Sequence, residues 1–90
     1  MRKLSKDNSR RNNLDITAEI IEMAKKEPQL KTHIQYGVNL SAHLTKKYLG
    51  SMVSGGLLRI EGRGYVATKE GKQWHGYYSR LMQRTPEEIL

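Results

Sequence analysis

The order of segments between residues 31 and 68 restricts the fold of this chain more than any other feature. Residues 31–37, KTHIQYG, predict a helix of about two turns, which Thr32 can cap and Gly37 can end. After three residues, Ser41 is placed to cap a longer helix, residues 41–54. Two β-type runs, LLRI and YVAT, come next, with the turn EGRG between them. This order predicts a helix-turn-helix followed by a hairpin, or wing.

Apolar spacing and a glycine pair describe the longer helix further. Leu44, Tyr48 and Met52 stand at i, i+4 and i+8 and predict its buried stripe. Gly55 and Gly56 follow, and both are expected to end the helix in the left-handed conformation. The side opposite the predicted stripe is polar, carries cations and contains no acid.

The turn of the hairpin is both glycine-rich and basic. Gly62 and Gly64 are expected to supply the positive φ angles that tight hairpin loops need. Glycine accounts for the bend but not for Arg63 at the tip or Arg59 on the first strand, since Asn, Asp or Ser would serve a solvated turn equally well. An arginine at such a tip can reach a phosphate or a narrow minor groove, and a solvated turn residue is the alternative.

Amphipathic helices are predicted on both sides of this segment. In residues 14–27, Asn13 is placed to cap a helix that buries Ile16, Ile20, Met23 and Ala24. The acids of this helix are expected to face solvent: Asp15, Glu19 and Glu22. Thr68 can cap the last helix, whose apolar residues follow the spacing i, i+3, i+4, i+7 and i+8: Trp74, Tyr77, Tyr78, Leu81 and Met82. So wide a stripe favours a dimer interface with a second copy, and packing inside the monomer is the alternative.

Composition bounds the fold class and excludes several functions. Ninety residues form one small domain, and with 37% apolar residues and no phenylalanine its core gains from dimerisation. The absence of cysteine excludes disulfides and thiolate zinc sites and fits a reducing, cytoplasmic setting. His33, His43 and His75 lack a metal-binding spacing, and no paired carboxylates support acid–base catalysis. We therefore expect no metal, no cofactor, no enzymatic activity and, without an apolar run of about 20 residues, no membrane span.

Positive charge is concentrated where a polyanion would bind. The formal net charge is +7, and residues 31–84 hold nine Lys and Arg against two Glu. The polar side of the longer helix favours phosphate and base-edge contacts, although a solvated helix face is the alternative. The start of the shorter helix joins this set because helix N-termini bind phosphate. The residues predicted to contact DNA are Lys31, Thr32, Ser41, Ala42, His43, Lys46, Lys47, Arg59 and Arg63.

Four short motifs resemble those of the small archaeal winged-helix DNA-binding proteins. They lie at residues 39–41 (NLS), 48–49 (YL), 56–58 (GLL) and 68–71 (TKEG), and the resemblance covers about residues 14–82. It implies a third helix in the major groove, a wing on a minor groove or the backbone, and a last helix that pairs with its copy. Thr45 departs from the pattern, which usually has an apolar residue there, and this leaves Leu44 to take over the packing.

The sequence thus predicts a mainly α protein with a small β-hairpin (α+β). It divides into a flexible basic arm (residues 1–13), a winged helix-turn-helix domain (14–68) and a C-terminal dimerisation helix (69–90). We expect a cytoplasmic, nucleoid-associated homodimer that binds double-stranded DNA, as a transcriptional regulator or a chromatin-type protein. Two other functions stay open, a protein–protein interaction adaptor whose basic face meets an acidic protein and an RNA-binding module.

Overall fold

The computed structural model describes residues 11–83, which form four helices and three short strands. In chain order these are α1 (Asn13–Ala24), β1 (Gln29–Leu30), α2 (Lys31–Val38), α3 (Ala42–Ser54), β2 (Leu58–Glu61), β3 (Gly64–Ala67) and α4 (Lys69–Met82). The helix-turn-helix is α2–α3 and the wing is β2–β3, so the predicted fold class is confirmed. Residues 1–10 of the predicted arm, and residues 84–90, lie outside the described residues.

α1 begins at Asn13 because Asn12, and not Asn13 as predicted, caps it. The Asn12 side chain accepts a hydrogen bond from the Asp15 amide (2.9 Å), and the Asp15 carboxylate accepts one from the Asn12 amide (3.2 Å). This reciprocal pair is a capping box, which satisfies two amides that the first helical turn leaves without partners. The buried side of the helix is aliphatic: Ile16, Ala18, Ile20, Ile21 and Ala24.

A third strand joins the hairpin, and the sequence pattern did not predict it. β1 and β2 both pair antiparallel with β3, which gives the sheet order β1-β3-β2. Gly64 lies opposite Leu30, and a Cβ on Gly64 would lie 2.9 Å from the Cβ of Pro28. Gly64 is therefore needed for close packing between strands. The prediction that it has a positive φ is wrong, whereas Gly62 does have one, at 61°.

Asn39 allows the tight connection between α2 and α3. This residue adopts the left-handed conformation (φ 60°, ψ 54°), which asparagine tolerates better than most residues. Its amide donates to the carbonyls of Gln35 and Tyr36 in the preceding turn. α2 therefore ends at Val38, one residue beyond the end predicted at Gly37.

α2 and α3 differ in how their ends are capped. Leu30 is the N-cap residue of α2 and no side chain caps this helix, so the prediction of a Thr32 cap is wrong. Ser41 caps α3 as predicted, because its hydroxyl oxygen accepts a hydrogen bond from a first-turn amide at 3.1 Å. At the other end of α3, Gly56 is left-handed as expected (φ 82°), but Gly55 is not (φ −83°).

α4 closes the core on the side of α1. Thr68 caps α4 as predicted, by accepting a hydrogen bond from the Gly71 amide at 2.9 Å. Gly71 is buried against the carbonyl of Leu57, which leaves no space for a Cβ. The core beneath α4 is built from three helices and the wing: Ile16, Ile20, Ile21, Ala24, Ile34, Val38, Leu49, Met52, Leu58 and Ala67. Met23, predicted to be buried, is only partly covered.

Polar contacts tie α4 to the acidic side of α1. The Tyr78 hydroxyl donates to the Asp15 carboxylate, and burial together with this carboxylate raises the pKa of Tyr78 to about 12. His75 Nε2 lies 3.1 Å from Glu22 Oε1, one end of a second link between the helices. Asp15 and Glu19 are half-buried, so the prediction that they face solvent is wrong, whereas Glu22 is exposed.

Candidate nucleic-acid interface

The surface of α3 that faces away from the core carries cations and no acid. His43, Lys47, Gly50 and Ser54 are exposed and lie on one face of a helix that turns about 100° per residue, with Lys46 at the edge of this face. Among residues 11–83, no acidic side chain pairs with either lysine. We call this surface the α3 face. Two further predicted contacts, Ser41 and Ala42, are exposed at the start of the helix.

The buried side of α3 is rotated from the predicted one. Thr45 is fully buried, whereas Leu44 is 40% exposed, so the stripe runs through Thr45 and Leu49 and the prediction of Leu44 is wrong. Thr45 fits in the core because its hydroxyl donates to the Ser41 carbonyl within the helix, at 2.8 Å. The rotation moves Leu44 towards solvent and keeps both lysines exposed.

Tyr48 fixes the orientation of α3 against α1. Its hydroxyl donates to Asn13 Oδ1 at 2.6 Å, which joins the middle of α3 to the first residue of α1. Asn13, the last residue of the predicted arm, therefore lies beside α3. Arg11, the last cation of that arm, is already paired with Glu19 at 2.7 Å and is mostly covered. This ion pair holds the Arg11 guanidinium against α1.

The two arginines of the wing have different surroundings. Arg63 is exposed at the tip and forms no ion pair among residues 11–83. Arg59 Nη2 donates to Glu61 Oε1 at 2.7 Å, on the solvent side of β2. Arg59 and Glu61 are two positions apart in a strand, and this spacing is the sequence signal that places them on the same face. Glu61 therefore partly offsets the charge of Arg59.

The remaining predicted contacts lie at the start of α2. Lys31 is half-buried and Thr32 is exposed in its first turn. One turn later stands Tyr36, which is 78% exposed and was not among the predicted residues. Its position at i+4 from Thr32 is the sequence signal that places both on one side of the helix.

The predicted dimer stripe of α4 divides into two parts. Trp74 and Tyr78 stack on each other, with ring centroids 5.5 Å apart and planes 12° apart, and Trp74 packs against the core. Tyr77 and Leu81 remain 65% and 57% exposed, one turn apart, and Met82 is 60% exposed. Part of the stripe thus packs inside the monomer, and we call the exposed pair Tyr77 and Leu81 the α4 seam.

The three histidines lie on three different helices. His33 and His43 are exposed on α2 and α3, and His75 is half-buried beside Glu22. Within residues 11–83, no group of three or more His, Asp or Glu side chains is arranged to hold a metal ion. In the same range, no helix is both long and apolar enough to cross a membrane.

Comparisons with known proteins match this architecture. A family profile described as "Winged helix-turn-helix" matches residues 10–85. An uncharacterized protein of Methanocaldococcus jannaschii is 26% identical over 74 residues, which span 82% of this chain and 76% of that protein.

Two solved structures are similar in fold. Sso10a-2, a DNA-binding protein from Sulfolobus solfataricus, superposes with a TM-score of 0.67 at 24% identity, over 81% of this chain and 80% of that one. AdcR, a zinc-dependent MarR family transcriptional regulator, superposes with a TM-score of 0.55 at 17% identity, over 98% of this chain and 68% of that one. At these identities the likeness concerns the arrangement of helices and wing.

Proposed function

The chain belongs to the winged helix-turn-helix family, and from that premise we propose that it binds double-stranded DNA through α3 and the wing. The observation that supports this most directly is the α3 face, where Lys46, Lys47 and His43 are exposed without an acidic partner among residues 11–83. The likeness to Sso10a-2, a DNA-binding protein of the same fold, supports the same function.

The mechanism begins with the positive field of the protein and ends with α3 in the major groove. A net charge of +7 steers the protein towards DNA, and the lysines of α3 neutralise phosphates and release counterions. His43, in the first turn of α3, is positioned to meet base edges, since the N-terminal residues of a recognition helix make such contacts. Lys31 and Thr32, with Tyr36 exposed one turn later, fit contacts to the phosphate backbone.

The wing adds a second contact through Arg63. Gly62 has a positive φ and Gly64 packs closely against Pro28 and Gln29, and Arg63 lies exposed between them at the tip of the hairpin. Such an arginine fits a narrow minor groove, where the negative potential of the duplex is strongest. Arg59 contributes less because Glu61 already holds it at 2.7 Å.

Dimerisation through the α4 seam would place two copies of α3 on one duplex. Tyr77 and Leu81 are both more than half exposed, with the Arg80 guanidinium 5.0 Å from the centroid of the Tyr77 ring, and a two-fold pairing of α4 would cover them on both protomers. We propose a homodimer of this kind, acting as a transcriptional regulator with paired half-sites. The likeness in fold to AdcR, a transcriptional regulator, supports this role.

The DNA-binding proposal is tested by fluorescence anisotropy of a labelled random-sequence duplex, titrated at several salt concentrations beside a single strand and a double-stranded RNA. We expect a preference for duplex DNA and a linear fall of log affinity with log salt, at about −0.9 per phosphate contact. Equal affinity for all three polyanions would refute specific duplex binding. No binding at low salt would refute DNA binding altogether and favour the protein–protein adaptor.

The dimer proposal is tested by sedimentation velocity of Leu81→Glu and Tyr77→Glu. Each charge should raise the monomer fraction, because it would be buried without a partner in a symmetric seam. Tyr36→Glu is the matched control, since Tyr36 is an exposed aromatic residue on a different helix. An unchanged dimer in the α4 variants would place the interface elsewhere, and a monomeric parent protein would refute the homodimer.

A further inference from the structure

Most glycines of this protein have a reason within the fold, and this makes the exceptions informative. Within residues 11–83, Gly56 and Gly62 have positive φ angles, which disfavour other residues. At four further positions an added Cβ would meet a neighbouring group within 3.2 Å, and these are Gly37, Gly55, Gly64 and Gly71. Gly50 and Gly76 have neither reason, because a Cβ on either meets nothing within 4 Å. Both lie in helix interiors, Gly50 in α3 and Gly76 in α4.

Gly50 is unfavourable for the isolated fold. It lies in the middle of α3, in helical conformation, where glycine is the least favourable residue apart from proline. An alanine would fit the same backbone and would strengthen the helix. No packing, turn or cap among the described residues offsets this cost.

The position of Gly50 relates it to the cations of α3. Gly50 is one turn beyond Lys47 and shares the α3 face with His43 and Ser54. The first half of this face carries the long polar side chains, and at Gly50 the helix backbone itself is the outermost surface. The α3 face therefore has long side chains in its first two turns and bare backbone at Gly50. This arrangement fits a helix that approaches another surface closely along its length.

We propose that Gly50 lets the backbone of α3 make van der Waals contact with the sugar–phosphate wall of the DNA major groove. This inference rests on the proposed DNA binding and adds to it a residue that sets the depth of α3. A side chain at position 50 would hold the helix away from the groove. Lys47 and His43 would then be withdrawn from the phosphates and base edges that they contact.

The contact predicts opposite effects of one substitution on stability and on binding. Gly50→Ala should raise the folding equilibrium constant about fivefold, the usual difference between alanine and glycine in a helix interior. It should also weaken duplex binding by about tenfold, because even one methyl group is poorly tolerated in a close-packed contact. Gly50→Leu, also a good helix former, should bind more weakly still.

The experiment measures urea unfolding and duplex anisotropy for the parent protein, Gly50→Ala, Gly50→Leu and Gly76→Ala. Gly76→Ala is the matched control, since it makes the same change in the interior of α4 without altering the α3 face. The proposal is supported if all three variants are at least as stable as the parent and affinity falls in the order Gly76→Ala, Gly50→Ala, Gly50→Leu.

Three results would overturn the proposal and can be told apart. If the parent binds duplex DNA and Gly50→Ala binds equally well or better, position 50 is merely solvated and this inference alone is wrong. If the parent binds no duplex at all, the proposed function fails and this inference fails with it. A loss of affinity in Gly76→Ala equal to that in Gly50→Ala would also overturn it, because the effect would then not depend on the α3 face.

Discussion

Replacing Lys46 and Lys47 by alanine removes both cations of α3 without disturbing its packing. Both side chains are exposed, neither pairs with an acid among residues 11–83, and alanine is favourable in a helix. The fold should therefore remain as stable as that of the parent. Any change in DNA binding then reports the interaction of the two lysines with the duplex.

The size of the effect follows from counterion release. Each phosphate that a lysine neutralises contributes about −0.9 to the slope of log affinity against log salt, so removing both lysines should make the slope shallower by about 1.8. At roughly 0.1 M salt, removing one lysine–phosphate interaction corresponds to about an eightfold weaker affinity, or roughly 60-fold for the pair. Because phosphate contacts carry no sequence information, the weakening should be similar for unrelated duplexes.

The assay is anisotropy of a labelled duplex over a series of salt concentrations. Lys26→Ala with Lys72→Ala is the control, since it removes the same charge from exposed positions outside α3, one in the loop after α1 and one on α4. Equal slopes for the two double variants would show that only net charge matters and that α3 does not lie on the DNA. A slope unchanged from that of the parent in the α3 variant would refute its contact with phosphates.

Three further predictions concern the wing, the core and the link between α1 and α4. Arg63→Ala should weaken duplex binding by about 1 to 3 kcal/mol if the side chain enters a groove, and an anisotropy titration indistinguishable from that of the parent would show a solvated tip. Thr45→Val should leave the free energy of unfolding unchanged or raise it by up to about 1 kcal/mol in urea melts. The reason is that the Ser41 carbonyl still accepts a hydrogen bond from the backbone amide of residue 45, at 2.9 Å. A large decrease would mean that the hydroxyl is required. The pKa of Tyr78 is about 12 in the folded protein, against about 10 for an ordinary tyrosine. Between these two pH values unfolded Tyr78 releases its proton and folded Tyr78 retains it. The free energy of unfolding of the parent should therefore fall as the pH rises from about 10 to about 12. Tyr78→Phe should lack that component, and identical pH dependence in the two proteins would argue against the contact with Asp15.

Local signals predicted the elements well because they act over a few residues. Ser41 and Thr68 cap their helices as expected, since an N-cap needs only its own side chain and the next turn. Gly62 takes a positive φ because the length of the turn demands it. The error of one residue at Asn13 has the same local origin, because Asn12 beside it offers an equivalent side chain.

The apolar spacing within α3 did not determine which side of the helix is buried. Leu44 and Thr45 are neighbours about 100° apart on the helix, but Met52 belongs to both the predicted and the observed stripe, so the buried side is turned by less than this. Thr45 is buried because its hydroxyl is satisfied by Ser41, which is a local contact, but the space it fills is formed by other elements. The rotation changes which side chains are exposed at the edges of α3.

The sequence by itself determined the order of the predicted elements, two of the four N-caps (Ser41 and Thr68), the basic wing and the absence of acid from the outer side of α3. Tertiary structure alone decided the pairing of β1 with β3, the burial of Asp15 against Tyr78 and the division of the α4 stripe. A two-residue strand has no periodicity to detect, and a carboxylate or an aromatic ring is buried only when a distant segment covers it. Each of these outcomes depends on residues that lie far apart in the chain, and patterns of nearest neighbours do not contain that information.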